Sequence, residues 1–233
     1  MTAEPPPGEH GHGATGRRIA DELKAAILGG TLPPGTRVRQ EELAERFRAS
    51  RVPVRDALRM LEADGLVTVV PNTGAWVSHL RLVECEEMYR MRERLEPLLL
   101  SMSIPALGPR VEQLARLAEQ METTDDVEHF LRLDREFHLL SYAGAETSVL
   151  GDTVKRLWNT TQHYRRAYTL MLDPVSRRIL HDEHHMLVAA IRAADAEDAE
   201  RVLEGHIRRT RLRLALHPEA FSPEPTPMTR TAS

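Results

Sequence analysis

The sequence contains a single cysteine, Cys85, among its 233 residues. An intramolecular disulfide is therefore impossible, which is typical of proteins that fold in a reducing compartment. Apolar runs approaching the ~20 residues that span a bilayer are absent. Residues 1–16 have neither the basic nor the apolar segment of a signal peptide. We therefore expect a cytoplasmic protein without a membrane partner.

An overall excess of positive charge is also absent, since 31 lysines and arginines face 35 acids and the net charge is −4. This excludes a protein that is basic over its whole surface, but DNA binding needs only a local basic face. Such a face is present between residues 46 and 59, where five arginines accompany one acid, Asp56. These arginines are Arg46, Arg48, Arg51, Arg55 and Arg59.

Regular apolar spacing is missing at both ends of the chain, where prolines are frequent. Residues 1–15 and 217–233 are therefore expected to be disordered tails. Residues 16–79 have the spacing of short helices followed by a β-hairpin, and residues 82–216 follow a helical period almost throughout. The predicted fold is mainly α, with an N-terminal winged helix-turn-helix domain and a C-terminal all-helical bundle.

Residues 16–79 show the element order of a winged helix-turn-helix. Apolar positions predict a first helix up to Leu28, a second helix over residues 40–47, and a third that begins after Ser50. Gly65 ends the third helix. Two β-rich runs, 66–70 and 75–78, are joined by a turn with proline, asparagine and glycine. They predict a β-hairpin, the wing.

Three arginines of the third predicted helix, Arg51, Arg55 and Arg59, are spaced at i, i+4 and i+8. This spacing places them on one face, opposite the apolar Val54 and Leu58. The major groove admits one helix, and arginine binds both phosphates and the edge of guanine. A charge stripe is more often a solvated surface, but the helix-turn-helix-hairpin order favours DNA binding.

Residues 43–67, LAERFRASRVPVRDALRMLEADGLV, resemble the signature of the GntR family of bacterial regulators. By position, the resemblance implies these DNA-binding residues: Ser50, Arg51, Arg55 and the wing-tip Gly74. Arg48 departs from the family because it replaces the glycine of the turn, which must strain or reshape that turn. Glu41 replaces an arginine that some members have, so no phosphate contact is expected there.

Four polar residues of the C-terminal block lie on the apolar faces of three predicted helices: Asp134, His138, His184 and His206. Unpaired polar groups are costly in a core, and a divalent metal would satisfy all four together. Zinc is the expected ion, and nickel, manganese or iron suits the same ligand types. The alternative is a buried hydrogen-bond network. The pair His181 and His185 lies off the apolar stripe and is expected to be exposed or to support the ligands.

This half of the chain resembles the FCD effector-binding domain of the FadR-like GntR subfamily. The resemblance rests on residues 134–138 (DREFH), on Glu183 and His184, and on His206. It implies that the four polar residues bind a metal. It also implies that Arg92, on the apolar face of its helix, binds a carboxylate effector beside that metal. A salt bridge from Arg92 to Glu96 is the alternative, and Arg165 is a second inward arginine.

Together these patterns predict a ligand-responsive transcription regulator, either a repressor or an activator, that binds a palindromic DNA operator as a homodimer. A small carboxylate would be sensed at the metal site in the C-terminal domain. Two alternatives stay open at this point. In the first, the metal ion itself is the signal. In the second, the helical domain is a metalloenzyme in which the ion activates water.

Overall fold

The computed structural model describes residues 9–71 and 73–221. It is mainly helical, with a small antiparallel sheet near the N-terminus, and this confirms the predicted fold class. Within the described ranges, no helix is both long and apolar enough to cross a bilayer.

The N-terminal part is a winged helix-turn-helix built on one small core. Its elements are α1 (Glu9–Leu28), β1 (Arg37–Val38), α2 (Gln40–Phe47), α3 (Arg51–Ala63), β2 (Val67–Val70) and β3 (Gly74–Val77). The strands pair antiparallel in the order β1-β3-β2, with Val69 opposite Ala75 in the wing. The buried side chains of α1 and α3 alternate with exposed polar ones, as the helical period requires. Ile19, Val54, Leu58 and Leu61 are at most 1% exposed and form the centre of this core.

Between residues 82 and 221, the part of the C-terminal region that the structure describes, the chain forms a bundle of six helices. They are α4 (Leu82–Ser103), α5 (Val111–Thr123), α6 (Val127–Ser141), α7 (Val149–Leu170), α8 (Pro174–Arg192) and α9 (Ala196–Ala215). Aspartates begin three of them: the side chains of Asp126, Asp173 and Asp195 accept hydrogen bonds from backbone amides of α6, α8 and α9. Such caps contribute about 1 kcal/mol each.

Both predicted tails are shorter in the structure than the sequence pattern indicated. At the N-terminus, α1 already begins at Glu9, because no proline interrupts residues 9–28. At the C-terminus, residues 218–220 form a 3-10 turn, and Phe221 is buried with its ring stacked on Tyr164 at 4.8 Å. This long-range aromatic contact anchors the chain beyond residue 217. Residues 1–8 and 222–233 lie outside the described ranges.

The winged domain rests directly on α7 of the bundle. Gly65, which ends α3, has a positive φ of +75°, and a Cβ atom there would lie 2.6 Å from Thr160 Oγ1. Tyr164 adds a second contact, since its hydroxyl donates to the carbonyl of Leu80 at 2.9 Å. A residue other than glycine at position 65 would therefore push the two parts of the chain apart.

Candidate functional site

The predicted DNA-binding residues of α3 lie together on its exposed face. Arg51, Arg55 and Arg59 are exposed, whereas Val54 and Leu58 on the opposite face are buried. The side chain of Arg51 is 77% exposed and its nearest acid is Glu41, at 3.9 Å. An ion pair this long and this exposed contributes little to stability. The guanidinium can therefore leave Glu41 and contact a DNA phosphate or base.

The turn between α2 and α3 has the strained geometry that the sequence indicated. Arg48 adopts φ 49° and ψ 46°, the left-handed conformation in which glycine is usual. This conformation costs a residue with a Cβ atom about 1–2 kcal/mol. Ser50 occupies the N-cap position of α3, but its side chain makes no capping hydrogen bond. Its hydroxyl is exposed beside the start of the recognition helix.

The wing contains a cation that sequence reasoning missed. Arg37 on β1 lies opposite Trp76 on β3, with its guanidinium 5.6 Å from the indole centroid. The same guanidinium donates to the carbonyl of Thr73 at 2.9 Å, next to the wing-tip Gly74, whose φ is +137°. β1 has only two residues, so no alternating pattern could reveal it. Arg37 therefore braces the tip of the wing and brings a positive charge to it.

The four predicted metal ligands come together at the centre of the bundle. Asp134 and His138 lie on α6, His184 on α8 and His206 on α9. One ligand atom from each residue lies within 4.8 Å of the others, and all four residues are buried. The carboxylate Oδ1 of Asp134 is 3.6 Å from Nε2 of His138 and 3.4 Å from Nε2 of His184.

The hydrogen bonds around the cluster fix the orientation of two imidazoles and favour that of the third. Nδ1 of His184 lies 2.8 Å from the carbonyl of Leu180, and Nδ1 of His206 lies 2.8 Å from a carboxylate oxygen of Glu183. Because both partners can only accept, each Nδ1 carries the proton, so Nε2 is left with a lone pair. Nε2 of His184 is buried and has no hydrogen-bond partner among the described residues.

His138 follows the same pattern through a longer contact. Its Nδ1 lies 3.4 Å from the hydroxyl of Tyr142, which donates its own proton to Glu96 at 2.7 Å. The phenol oxygen can therefore accept the imidazole proton. Outer partners of this kind, which hold metal-binding histidines in one tautomer, are typical of metal sites in proteins.

The charge states also suit a cation. Burial lowers the pKa of His138 and of His184, which keeps both imidazoles neutral. Burial alone would raise the pKa of Asp134, but the Arg165 guanidinium outweighs it and holds that pKa well below its usual range. Neutral imidazoles and an ionised carboxylate are the ligand types that zinc, nickel, manganese and iron accept.

The two inward arginines differ in how fully they are paired. Arg92 donates from Nε to the buried carboxylate of Glu96 and from Nη1 to Thr161 Oγ1 at 3.1 Å. The alternative expectation of an Arg92–Glu96 salt bridge therefore describes the structure, and Glu96 already supplies the anion. Arg165 lies 3.4 Å from Asp134 Oδ2, and its Nε and Nη1 have no hydrogen-bond partner in the described part of the chain. Arg165, the second arginine that the sequence suggested for binding an effector, therefore has hydrogen-bond donors available for a ligand.

A small cavity connects Arg165 with the cluster. Its volume is 20 Å³, on a scale where one water needs about 10–15 Å³. The lining residues include Tyr89, Asp134, His138, Trp158, Arg165 and His206. The site therefore has room for an ion and one small polar group in this conformation.

Of the two expectations for His181, exposed or supporting the ligands, the structure excludes the exposed one. His181 is only 7% exposed, and its ring meets Phe130 edge-on at 6.0 Å. The reason is that α8 packs against both α5 and α9, so its buried face is wider than one apolar stripe. His185 is exposed, and its Nε2 lies 3.0 Å from Glu122 Oε2.

An exposed arginine helix and a wing, joined to a helical bundle with an inner polar site, define a DNA-binding regulator with a second, all-helical domain. Residues 15–77 match the family described as bacterial regulatory proteins, gntR family, and residues 87–209 match the FCD domain. The chain belongs to the GntR family and carries an FCD domain. It is a transcriptional regulator and not an enzyme, which removes the metalloenzyme alternative.

Named relatives agree with this assignment. An uncharacterized HTH-type transcriptional regulator in an unstable DNA locus of Streptomyces ambofaciens is 30% identical over 207 residues, 84% of each chain. The HTH-type transcriptional repressor GlaR of Escherichia coli (strain K12) is 28% identical over 197 residues, 79% of this chain and 89% of GlaR. The solved structure of E. coli McbR/YncC has the same fold, with a TM-score of 0.75 over 88% of this chain and 98% of that one, at 23% identity.

Proposed function

We propose that this protein is a homodimeric, ligand-responsive regulator in which a divalent metal, zinc by preference, anchors a small carboxylate effector. One observation carries the proposal: the buried Asp134 carboxylate is surrounded by three imidazoles whose Nδ1 atoms face outer acceptors. Beside it, Nε2 of His184 has no hydrogen-bond partner among the residues that the structure describes. A buried polar network that served stability alone would satisfy this nitrogen, since leaving it unpaired costs about 1–3 kcal/mol.

In the proposed site, Asp134, His138, His184 and His206 hold the ion, and the ion supplies positive charge for an anionic ligand. Arg165 supplies the second positive charge. Arg165 lies beside Asp134 and has two donors without a partner in the described part of the chain, whereas Arg92 is already neutralised by Glu96. A carboxylate beside the ion would give Arg165 the acceptors that it lacks.

In this proposal, one domain would bind DNA and the other would bind the ligand. Residues 16–79 would bind DNA through Ser50, Arg51, Arg55 and Arg59 on the recognition helix and through the wing at Gly74. Arg37 would place a further charge near a phosphate. Residues 82–216 would sense the ligand and form the dimer, so that two recognition helices reach a two-fold operator.

A stripe of exposed apolar side chains on α4 supports dimerisation. The exposed fractions are 51% for Val83, 46% for Met91, 48% for Leu98 and 47% for Met102. Their spacing places them on one side of α4, opposite Cys85, Tyr89 and Leu100, which face the bundle. Glu87 and Arg94 lie on the same stripe. Two α4 helices related by a two-fold axis could therefore pair their apolar residues, while Arg94 already forms an ion pair with Glu204 on α9.

The metal ion itself is the second candidate signal. The 20 Å³ cavity favours it, because so little space remains beside an ion. One titration separates the candidates: binding of an operator duplex is measured with zinc-loaded and chelator-treated protein, each with and without a set of small carboxylates. A carboxylate that changes the DNA affinity of only the zinc-loaded protein supports the effector proposal. A change of DNA affinity with zinc alone supports the metal-sensor function. If zinc binds but DNA affinity changes neither with zinc alone nor with zinc and a carboxylate, both proposed functions are contradicted.

A further inference from the structure

The C-terminal end of the recognition helix α3 is held by side chains of α7. Three carbonyl groups, those of the last residue of α3 and of the two residues after it, each accept one hydrogen bond from the bundle. These bonds join Arg156 Nη1 to Ala63 O (3.1 Å), Asn159 Nδ2 to Asp64 O (2.9 Å) and Thr160 Oγ1 to Gly65 O (3.1 Å). The final carbonyls of a helix lack partners within it. The direction of α3 is therefore tied to α7.

One of these contacts continues to α6. Nη2 of Arg135 donates to Oδ1 of Asn159 at 2.6 Å, while Nδ2 of Asn159 donates to the carbonyl of Asp64. A guanidinium can only donate and a carbonyl can only accept, so these partners determine the orientation of the amide. Asn159 is 4% exposed, which shields both bonds from water. Arg135 and Asn159 thus form a bridge from α6 through α7 to the end of α3.

The bridge begins next to the proposed metal site. Arg135 directly follows the ligand Asp134 in the chain. On the other side of α7, Trp158 and Arg165 line the cavity, and Arg165 lies 3.4 Å from Asp134 Oδ2. A ligand that contacts Asp134 and Arg165 therefore acts on α6 and α7, the two helices that carry the bridge.

Arg135 is the member of the bridge that has an unsatisfied hydrogen-bond donor. Its Nη1 is buried and has no hydrogen-bond partner within residues 9–71 and 73–221. A buried, unsatisfied donor on a cation is costly. A small displacement of α6 relative to α7 that offers this nitrogen an acceptor is therefore favourable, and it alters the bond to Asn159.

We propose that Arg135 and Asn159 are positioning residues that transmit occupancy of the Asp134–Arg165 site to the orientation of the recognition helix. The inference rests on the proposed function, because it requires a ligand at that site. It adds a defined route between the sensor domain and the DNA-binding face. A ligand shifts DNA affinity only through a difference between two arrangements, and the bridge is where those arrangements would differ.

The test uses the full-length protein, zinc alone or zinc with acetate as the ligand, and a duplex selected from random sequence for tight binding. The variants are Arg135→Met and Asn159→Leu, and Thr160→Val is the matched control because it removes a bond to Gly65 without touching α6. We expect zinc to change the DNA Kd of the wild type and of Thr160→Val by roughly 5–150-fold. In the other two variants the ratio should fall to about one, with a zinc content close to that of the wild type.

Amide hydrogen exchange over residues 61–66 provides a second readout. Zinc should change exchange there in the wild type but not in Asn159→Leu. A wild-type zinc response in both bridge variants overturns the inference, and so does a wild type whose DNA affinity changes neither with zinc alone nor with zinc and acetate. Absence of bound zinc contradicts the metal site itself. In that case the bridge is tested by amide hydrogen exchange of the metal-free proteins. Equal exchange rates over residues 61–66 in the wild type and in Asn159→Leu would overturn the bridge as well.

Discussion

Replacing His184 with alanine should abolish most of the stabilisation that zinc gives the protein. His184 is 1% exposed, and its unpartnered Nε2 lies 3.4 Å from Asp134 Oδ1. His181 lies about one turn earlier on α8 and is also buried, but it is outside the cluster. The His181→Ala variant is therefore a matched control, because both substitutions remove a buried imidazole from the same helix.

The magnitude follows from linkage. Zinc at about 1,000 times its Kd stabilises the folded state by about 4.1 kcal/mol. For a chain of this size, each kcal/mol raises the melting temperature by about 2–4 °C, so the total is roughly 8–16 °C. Loss of an outer partner already weakens metal binding by about 10–100-fold. If loss of His184 weakens it by about 100-fold, about 1.4 kcal/mol remains at the same zinc concentration.

The assay is thermal unfolding of each variant with and without zinc. Taking the difference within one variant removes the cost of the cavity that alanine leaves behind. We expect an increment of several degrees for the wild type and His181→Ala, and at most about a third of it for His184→Ala. Equal increments in His184→Ala and the wild type would refute the assignment of His184 as a ligand.

Three further predictions concern other parts of the molecule. Arg51→Ala or Arg55→Ala should each cost about 1–3 kcal/mol of operator binding if the guanidinium contacts a base edge. The exposed Arg116→Ala in the bundle should cost nothing, and unchanged titrations for both α3 variants would contradict the interface. Leu98→Glu on the α4 stripe should convert the dimer into a monomer, as measured by light scattering. A variant that stays dimeric with unchanged self-association affinity would exclude this face of α4 as the dimer interface. Burial raises the pKa of the Cys85 thiol to about 12, so it should stay protonated and react with thiol reagents at pH 8 only on unfolding; rapid labelling of the folded protein would argue against this burial.

The four cluster residues could be predicted from sequence because each occupies an apolar position in a long helix with a clear period. The Arg92–Glu96 pair could also be predicted from its i, i+4 spacing, but the contacts of the two arginines with other helices could not. Arg92 meets Thr161, 69 positions away, and Arg165 is left beside Asp134. The burial of Phe221 likewise depends on Tyr164. Local spacing determines which face of a helix a residue occupies, but it does not reveal which residue of another helix contacts it.

The contact between the two domains was also beyond sequence reasoning. Asn159 joins Asp64 across 95 positions, and no local pattern marks either residue as an interface. The left-handed turn at Arg48 is the opposite case. It could be predicted, because the neighbouring motif shows where a glycine is expected and an arginine is found.

The central claim, a metal bound by the buried cluster, is tested most directly by anomalous scattering at the zinc edge from crystals grown with zinc and without chelator. We expect one anomalous peak per chain, about 2.0–2.2 Å from Nε2 of His138, His184 and His206 and from a carboxylate oxygen of Asp134. A well-ordered cluster without a peak, with these four side chains bonded only to one another, would contradict the account.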